Sequence, residues 1–347
     1  MRKAPVPVRD GLNPSRVRLP ESGHWVTTLE YLLQRFYSDQ DRVREKVAAG
    51  EVVDVTGTPI DPQTPFDPDS FVFLYRDPIP ERRVPFEIEI LYRDSDLLVI
   101  DKPHFLATMP RGFYIVESAL VRLRRDLDLP DLSPLHRLDR VTAGVLMFSL
   151  RPGQRGAYQQ LFAHRKVTKY YEAVAAHRPE IDLPTTVRSR IVKERGTPTA
   201  DEVPGEPNSM TTIELLDVRG ADARYGLHPQ TGKVHQLRLH MNSLGLPIRW
   251  DNFYPKLLDT DPYDYSTPLQ LIARSVAFDD PFTGEPRRFE SRRTFAAWPD
   301  QPGTAQVAGA MELGVYSAVS GPTGASMTTN PRALLPLDSV PELSDGS

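Results

Sequence analysis

The chain is 347 residues long, 39% hydrophobic and 25% charged, with 34 prolines, 21 glycines and no cysteine. That length suits about two domains with a substantial core. The lack of cysteine excludes disulfides, thiolate zinc sites, iron–sulfur clusters and cysteine nucleophiles. The formal net charge of −4 argues at face value against a polyanionic partner, but the charge is unevenly spread: residues 51–100 carry 4 basic and 11 acidic side chains, and residues 101–200 carry 17 basic and 10 acidic. A local basic face can neutralise phosphates on a mildly acidic chain. Apolar runs such as Gly144–Phe148 and Leu97–Ile100 fall far short of the ~20 residues of a membrane span. No apolar stretch follows the basic N-terminal residues, so a signal peptide is not expected. A soluble, cytoplasmic protein without a membrane partner is expected.

Residues 1–24, rich in Pro and Arg and without periodicity, are predicted to form a loose arm. Leu29, Leu32, Leu33, Phe36, Val43 and Val47 recur at helical spacing with a break near Ser38–Asp41, which predicts two helices ending at Gly50. Short strands are expected over Glu51–Gly57 and Ser70–Tyr75, so residues 25–80 read as a small separate module. A second unit, 84–300, opens with a predicted hairpin of Phe86–Tyr92 and Leu97–Asp101, followed by a helix over Val116–Leu127. Ala143–Leu150 is almost continuously apolar, as a strand buried on both faces would be. A helix over Arg155–His164 and strands over Tyr170–Ala176, Thr211–Val218 and Ala223–His228 follow. Then come a helix over Val234–Leu244, stopped by Gly245, and a strand over Leu269–Phe278. Helices and strands without a regular strand–helix–strand repeat give an α+β class with a mixed, mainly antiparallel sheet and flanking helices. Residues 303–347, rich in Gly, Ala, Ser, Thr and Pro, read as a disordered tail.

Two segments could carry chemistry. In His136-Arg137-Leu138-Asp139-Arg140-Val141-Thr142-Ala143-Gly144 an aspartate stands between two arginines just before an apolar strand. Opposite charge would hold it ionised, and an ionised, partly desolvated carboxylate is a competent nucleophile or base. A structural salt bridge at a loop is the competing reading. In Thr231-Gly232-Lys233-Val234-His235-Gln236-Leu237-Arg238-Leu239-His240, the five-residue spacing of His235 and His240 places them on divergent faces and fails as a metal pair. Neither a P-loop nor a G-x-S-x-G elbow occurs.

The first segment resembles the H-R-L-D-x-x-T-S-G motif of the RluA-type family of RNA pseudouridine synthases. Four further segments match in the family's order: Leu98-Val99-Ile100-Asp101-Lys102-Pro103; Lys169-Tyr170-Tyr171-Glu172-Ala173; Gly232 to His240 with Leu244-Gly245 and Pro247-Ile248 to Asp251; and Leu269–Phe278 with Asp280-Pro281 and Thr283-Gly284-Glu285. The resemblance implies the pseudouridine synthase fold and isomerisation of uridines in ribosomal or transfer RNA, with no metal or nucleotide cofactor, by what is expected to be a monomer. It implies Asp139 as nucleophile, Arg238 as its partner, and Tyr171 stacked on the target base and placed for late proton removal. It implies Arg137 as the residue that fills the gap left by the flipped uridine. His136, Arg140, Thr142, Lys169, Lys233 and Gln236 are the further expected base or RNA contacts. Arg122, Arg124, Arg125, Arg165, Lys166, Arg188, Arg190 and Lys193 are candidates for the phosphate backbone. Residues 25–80 resemble the alpha-L RNA-binding fold through Ala48-Ala49-Gly50-Glu51-Val52.

The chain departs from the family pattern at Ala143, Lys233, Leu246 and Trp250, which stand where Ser, Arg, His and Gly are usual, and in His104-Phe105-Leu106-Ala107-Thr108-Met109-Pro110. These departures touch substrate choice, because loops beside a cleft carry specificity. A catalytically silent RNA-binding or assembly factor on the same fold is the rival reading. A sugar or phosphate-ester hydrolase would want a second carboxylate or an acidic metal cluster beside Asp139.

Overall fold

The computed structural model describes residues 4–77 and 80–299; the expected tail at 303–347 lies outside the described residues. The first unit contains β1 (Ser15–Arg18), α1 (Thr28–Arg35), α2 (Gln40–Ala48), β2 (Val52–Val53) and β3 (Phe71–Leu74). A capping box starts α1: the Thr27 hydroxyl accepts from the Glu30 amide, and the Glu30 carboxylate accepts from the Thr27 amide. The strands run β1-β3-β2, both pairs antiparallel. Val17, Leu19, Leu32, Val43, Val47, Val52 and Val72 form a small core together with Tyr31 and Ile60.

Two expectations change here. The arm is not loose throughout residues 1–24, because Ser15–Arg18 pair with Phe71–Leu74 and carry Val17 and Leu19 into that core. The alternation Arg16-Val17-Arg18-Leu19 held the signal, hidden by the surrounding prolines and arginines. The strand predicted over Glu51–Gly57 shrinks to Val52–Val53. Asp54 turns the chain by accepting from the Thr56 and Thr58 amides at 2.8 and 3.0 Å.

The second unit contains β4 (Glu89–Arg93), β5 (Leu97–Lys102), α3 (Ala119–Asp126), β6 (Ser133–Pro134), β7 (Ala143–Ser149), α4 (Pro152–Ala163) and β8 (Thr168–Ala176). It continues with β9 (Thr185–Val192), β10 (Asp201–Val203), β11 (Ser209–Arg219), β12 (Asp222–Pro229), α5 (Gln236–Ser243), β13 (Leu271–Asp279) and β14 (Pro286–Glu290). One sheet takes the order β10-β9-β11-β12-β8-β13-β7-β5-β4, with β14 against β13 and β6 against β7. Within it β13 and β7 run parallel, and the other described pairs are antiparallel. This is the expected mixed, mainly antiparallel sheet. Sequence patterning missed β9, β10 and β14, whose exposed faces dilute the apolar signal.

All seven residues of β7 are buried, which explains its unbroken apolar run. Successive side chains go to opposite faces of the sheet. Leu98, Ile100, Leu146 and Phe148 join the cluster under α3, while Leu97, Val99, Val145 and Met147 join the cluster under α4. Each fully buried Leu or Phe contributes roughly 1.5–3 kcal/mol, so the two-sided packing fixes the strand that delivers the Asp139 loop. Gly144 sits at φ +113° where β7 meets β13, and a Cβ there would lie 2.3 Å from the Ala273 carbonyl oxygen. Only glycine allows the two strands this approach. On α3, Arg122 and Arg124 are buried. Arg122 pairs with Glu117 and donates to the Val84 and Phe86 carbonyls, and Arg124 donates to Leu132 and Gly11. They tie the chain to itself and are not the phosphate contacts expected of them.

Candidate active site

The loop 136–142 leaves β6 and enters β7, and its carbonyls are gripped from one side by the segment after β5. The buried Lys102 ammonium donates to the carbonyls of Pro103 (2.9 Å), Leu106 (2.8 Å) and Arg140 (3.2 Å). The His104 Nδ1 lies 2.7 Å from the Val141 carbonyl and donates to it. The Thr108 hydroxyl donates to the Leu138 carbonyl at 2.8 Å and accepts from the Leu138 amide at 3.1 Å. The Thr142 amide closes a turn onto the Asp139 carbonyl at 3.1 Å. Backbone groups on both sides of Asp139 are therefore fixed, and its carboxylate, 24% exposed, points into the cleft. Two of these three grips, His104 and Thr108, come from the segment where the sequence departs from the family pattern.

Opposite stands α5. Arg238 was expected to pair with Asp139; its tight partner is Asp251. Nε and Nη2 donate to the two Asp251 oxygens at 2.8 and 2.5 Å, in the fork geometry that suits arginine. The guanidinium packs 4.7 Å from the centroid of Phe253 and 5.5 Å from that of Tyr254. Asp251 also accepts the Phe253 and Tyr254 amides. This clamp leaves Nη1 facing Asp139 Oδ2 at 3.9 Å, an ion pair without a direct hydrogen bond. Arg238 is 1% exposed, so its charge acts on Asp139 with little screening by water.

His235 supplies the second neighbour, with Nε2 3.9 Å from Asp139 Oδ2. The Tyr254 hydroxyl donates to the Ala200 carbonyl at 2.8 Å and accepts from its amide at 3.0 Å. Its proton is thus committed, and His235 Nδ1, 3.0 Å away, is the donor between the two. Nε2 is left as the face toward Asp139. Burial lowers the His235 pKa, partly opposed by the Asp139 charge. Tyr171, on β8, is pushed upward by burial and then by the negative charge of Asp139, so it rests as a neutral phenol.

The other expected contacts divide. His136 Nε2 accepts the Met147 amide at 3.1 Å and its ring stacks on Phe162, and burial takes its pKa down to about 3. Gln236 is buried and holds the 231–233 turn: Oε1 accepts from Thr231 and Lys233, and Nε2 donates to Met210 and Thr211. Thr142 is buried as well. Gln236 and Thr142 shape the site from within, and His136 is partly buried. Lys169 donates to the Thr231 carbonyl at 3.1 Å, and Arg140 lies over the Tyr114 ring. Arg137 is exposed and Lys233 half-exposed. From the facing helix, Arg238 and His235 flank the Asp139 carboxylate, each 3.9 Å from Oδ2. Neighbouring side chains on a turn diverge, whereas a facing helix can aim at one point. His235, Asp251, Lys102, His104 and Thr108 were not among the expected site residues. A lysine at the end of the apolar run Leu97–Ile100 was the available signal, since a buried ammonium must find carbonyls.

The site thus brings a half-buried carboxylate before a clamped guanidinium, with a partly buried tyrosine near enough to feel its charge. Comparisons with known proteins make the class specific. Residues 96–243 match the family model described as RNA pseudouridylate synthase. The dual-specificity RNA pseudouridine synthase RluA of Haemophilus influenzae is 31% identical over 216 residues, 60% of this chain and 94% of that protein. The Escherichia coli K12 protein of the same name is 31% identical over 219 residues, covering 59% and 93%. The tRNA pseudouridine synthase C of Haemophilus ducreyi is 32% identical over 212 residues, covering 57% and 87%. Among solved structures, human RNA pseudouridylate synthase domain containing 4 aligns with a TM-score of 0.46 at 24% identity, over 59% of this chain and 88% of that one. The chain belongs to the RluA-type family of RNA pseudouridine synthases. Among the described residues no helix is long and apolar enough to cross a membrane.

Proposed function

We propose that this protein converts one or a few uridines of structured ribosomal or transfer RNA to pseudouridine in the cytoplasm, with Asp139 as the nucleophile. The observation that carries the reading is the placement of Asp139: half-buried on a fixed loop, 3.9 Å from a guanidinium that Asp251 holds from behind. The carboxylate attacks either the uracil ring or the ribose anomeric carbon. The N1–C1′ bond breaks, the base turns, and a C5–C1′ bond forms. C5 then gives up its proton, N1 gains one, and Asp139 is released unchanged. No electrons leave the substrate, so atoms balance without a cofactor.

Arg238 offers its positive charge to the carboxylate as it attacks and again as it departs. Tyr171 stacks on the uracil. While Asp139 is a free carboxylate its charge helps to hold the Tyr171 proton. Once Asp139 is covalently linked and neutral, that hold weakens at the stage where C5 must lose its proton. Flipping the uridine costs a few kcal/mol of unstacking, and the exposed Arg137, two residues before Asp139, fills the gap. RNA contacts fall to Arg137, Lys233, Arg188 and Arg190, which are exposed or half-exposed. The name of one relative, a tRNA pseudouridine synthase, supports transfer RNA among these classes.

The test is conversion of unmodified transfer and ribosomal RNA transcripts by purified protein. Wild type is expected to form pseudouridine, and Asp139→Ala to bind the same RNA without product. Full activity of Asp139→Ala would remove the nucleophile assignment.

A further inference from the structure

Between β5 and α3 the chain makes a small hairpin beside the cleft. Arg111 and Tyr114 exchange backbone hydrogen bonds of 2.8 and 3.1 Å across Gly112 and Phe113. Gly112, at φ +58°, takes the first central position that a type II′ turn reserves for glycine. The stem is pinned twice. The Arg140 guanidinium lies 4.7 Å from the centroid of the Tyr114 ring, and Arg140 directly follows Asp139. On the far side, the Glu81 carboxylate accepts the amides of Ile115, Val116 and Glu117 at 2.9, 2.7 and 3.0 Å. At the tip of this fixed turn Phe113 is 74% exposed.

A phenylalanine held in water by so well anchored a turn contributes little to the core. Its surroundings are cationic. Arg111 on the stem is exposed, and it stands near enough to Lys193 to add to the effect of burial in lowering that lysine's pKa. One ring among positive charges offers far too little apolar area for a protein interface. It does match an unpaired nucleobase between phosphates, because every base has a face that stacks on an aromatic ring. A uridine flipped toward Asp139 leaves its neighbours with such faces exposed.

We propose that Phe113 is a stacking platform for an unpaired base next to the target uridine, with the exposed Arg111 toward the adjoining phosphate. The proposal rests on the RNA-isomerase reading above and adds a residue that sets affinity without touching the reacting atoms. The turn fixes the ring before RNA arrives, so little ordering cost accompanies stacking.

The experiment measures binding and steady-state conversion of unmodified transfer RNA and ribosomal RNA transcripts by the full-length protein at fixed salt. Phe113→Ala is expected to raise Kd and KM roughly tenfold, leaving kcat at saturating RNA and the melting temperature near wild type. Phe113→Tyr should bind as wild type does. Phe113→Trp should add a fluorescence signal that RNA quenches. Wild-type Kd and KM in Phe113→Ala, or a Tyr variant as weak as the Ala variant, would overturn the proposal while leaving the isomerase reading intact. So would a change in self-association by sedimentation with RNA binding unaltered, which would assign the ring to a second copy. If wild type neither bound nor converted these RNAs, both readings would fall together.

Discussion

The N-terminal unit and the cleft use the same residue types in opposite ways. In the first, Arg18 pairs with Asp69 and Arg42 with Asp77 and Glu45 at the surface, around a core of aliphatic side chains and Tyr31, and the buried Lys46 reaches out to Asp77 and Glu51. In the second, Arg238 and Asp251 are both 1% exposed, and Lys102 is fully buried against three carbonyls. Exposed pairs are screened and exchange freely with water, so they bear little on stability. Buried ones cost desolvation and hold only when every polar atom is matched. The cleft retains such groups because they aim charge and fix a loop, whereas in the N-terminal unit the buried Lys46 pairs with carboxylates that remain partly in water.

The comparison can be broken at several strengths. The largest expected effect is on chemistry: Asp139→Ala or Asp139→Asn should lower the single-turnover rate by at least roughly 10⁴-fold, with RNA binding retained. Next comes the buried pair. Arg238→Ala removes the buried counter-charge of Asp251 and leaves it only the Phe253 and Tyr254 amides, and should cost about 3–5 kcal/mol in denaturant unfolding along with activity. Arg42→Ala, in the surface cluster, should leave the unfolding midpoint where it was. Equal losses from the two would dissolve the distinction.

A smaller effect sharpens it. Thr108→Val removes both hydrogen bonds to Leu138 and leaves that amide and carbonyl unmatched, for about 1–3 kcal/mol. Because Leu138 adjoins Asp139, kcat should fall while KM holds, and Thr108→Ser should restore most of it. A variant with unaltered kcat would show that the loop keeps its place without this grip.

The smallest is a pH effect. Burial lowers the pKa of His104 and His136 to about 3 and of His240 to about 4. Unfolded histidines titrate near pH 6.5. Between those limits the unfolded chain binds more protons, so stability is full above about pH 6.5 and declines as pH falls below it. Denaturant midpoints should therefore drop from pH 7.5 to pH 5, and His240→Gln should show a shallower slope. A flat profile would place these rings in water.

The Asp139 loop, the buried strand behind it and the antiparallel character of the sheet were legible because each lies in a contiguous run of residues. Asp139 and the unbroken apolar run of β7 are one such stretch. The clamp on Arg238 was not, since Asp251 stands thirteen residues further on and acts through a turn whose geometry no periodicity records. The grips of His104 and Thr108 on loop 136–142 escape sequence reading for the same reason: they join side chains to backbone more than 29 residues away. Solvent exposure was equally hidden. Arg122 and Arg124 read as surface cations, yet their guanidinium groups serve as internal donors to carbonyls.

The central claim is that Asp139 isomerises uridines in RNA. Its most direct test maps pseudouridine across ribosomal and transfer RNA from cells lacking this protein, complemented with wild type or with Asp139→Ala. The account predicts that one or a few sites disappear, that wild type restores them, and that Asp139→Ala does not. Sites that persist without the protein, or that return with Asp139→Ala, would contradict it.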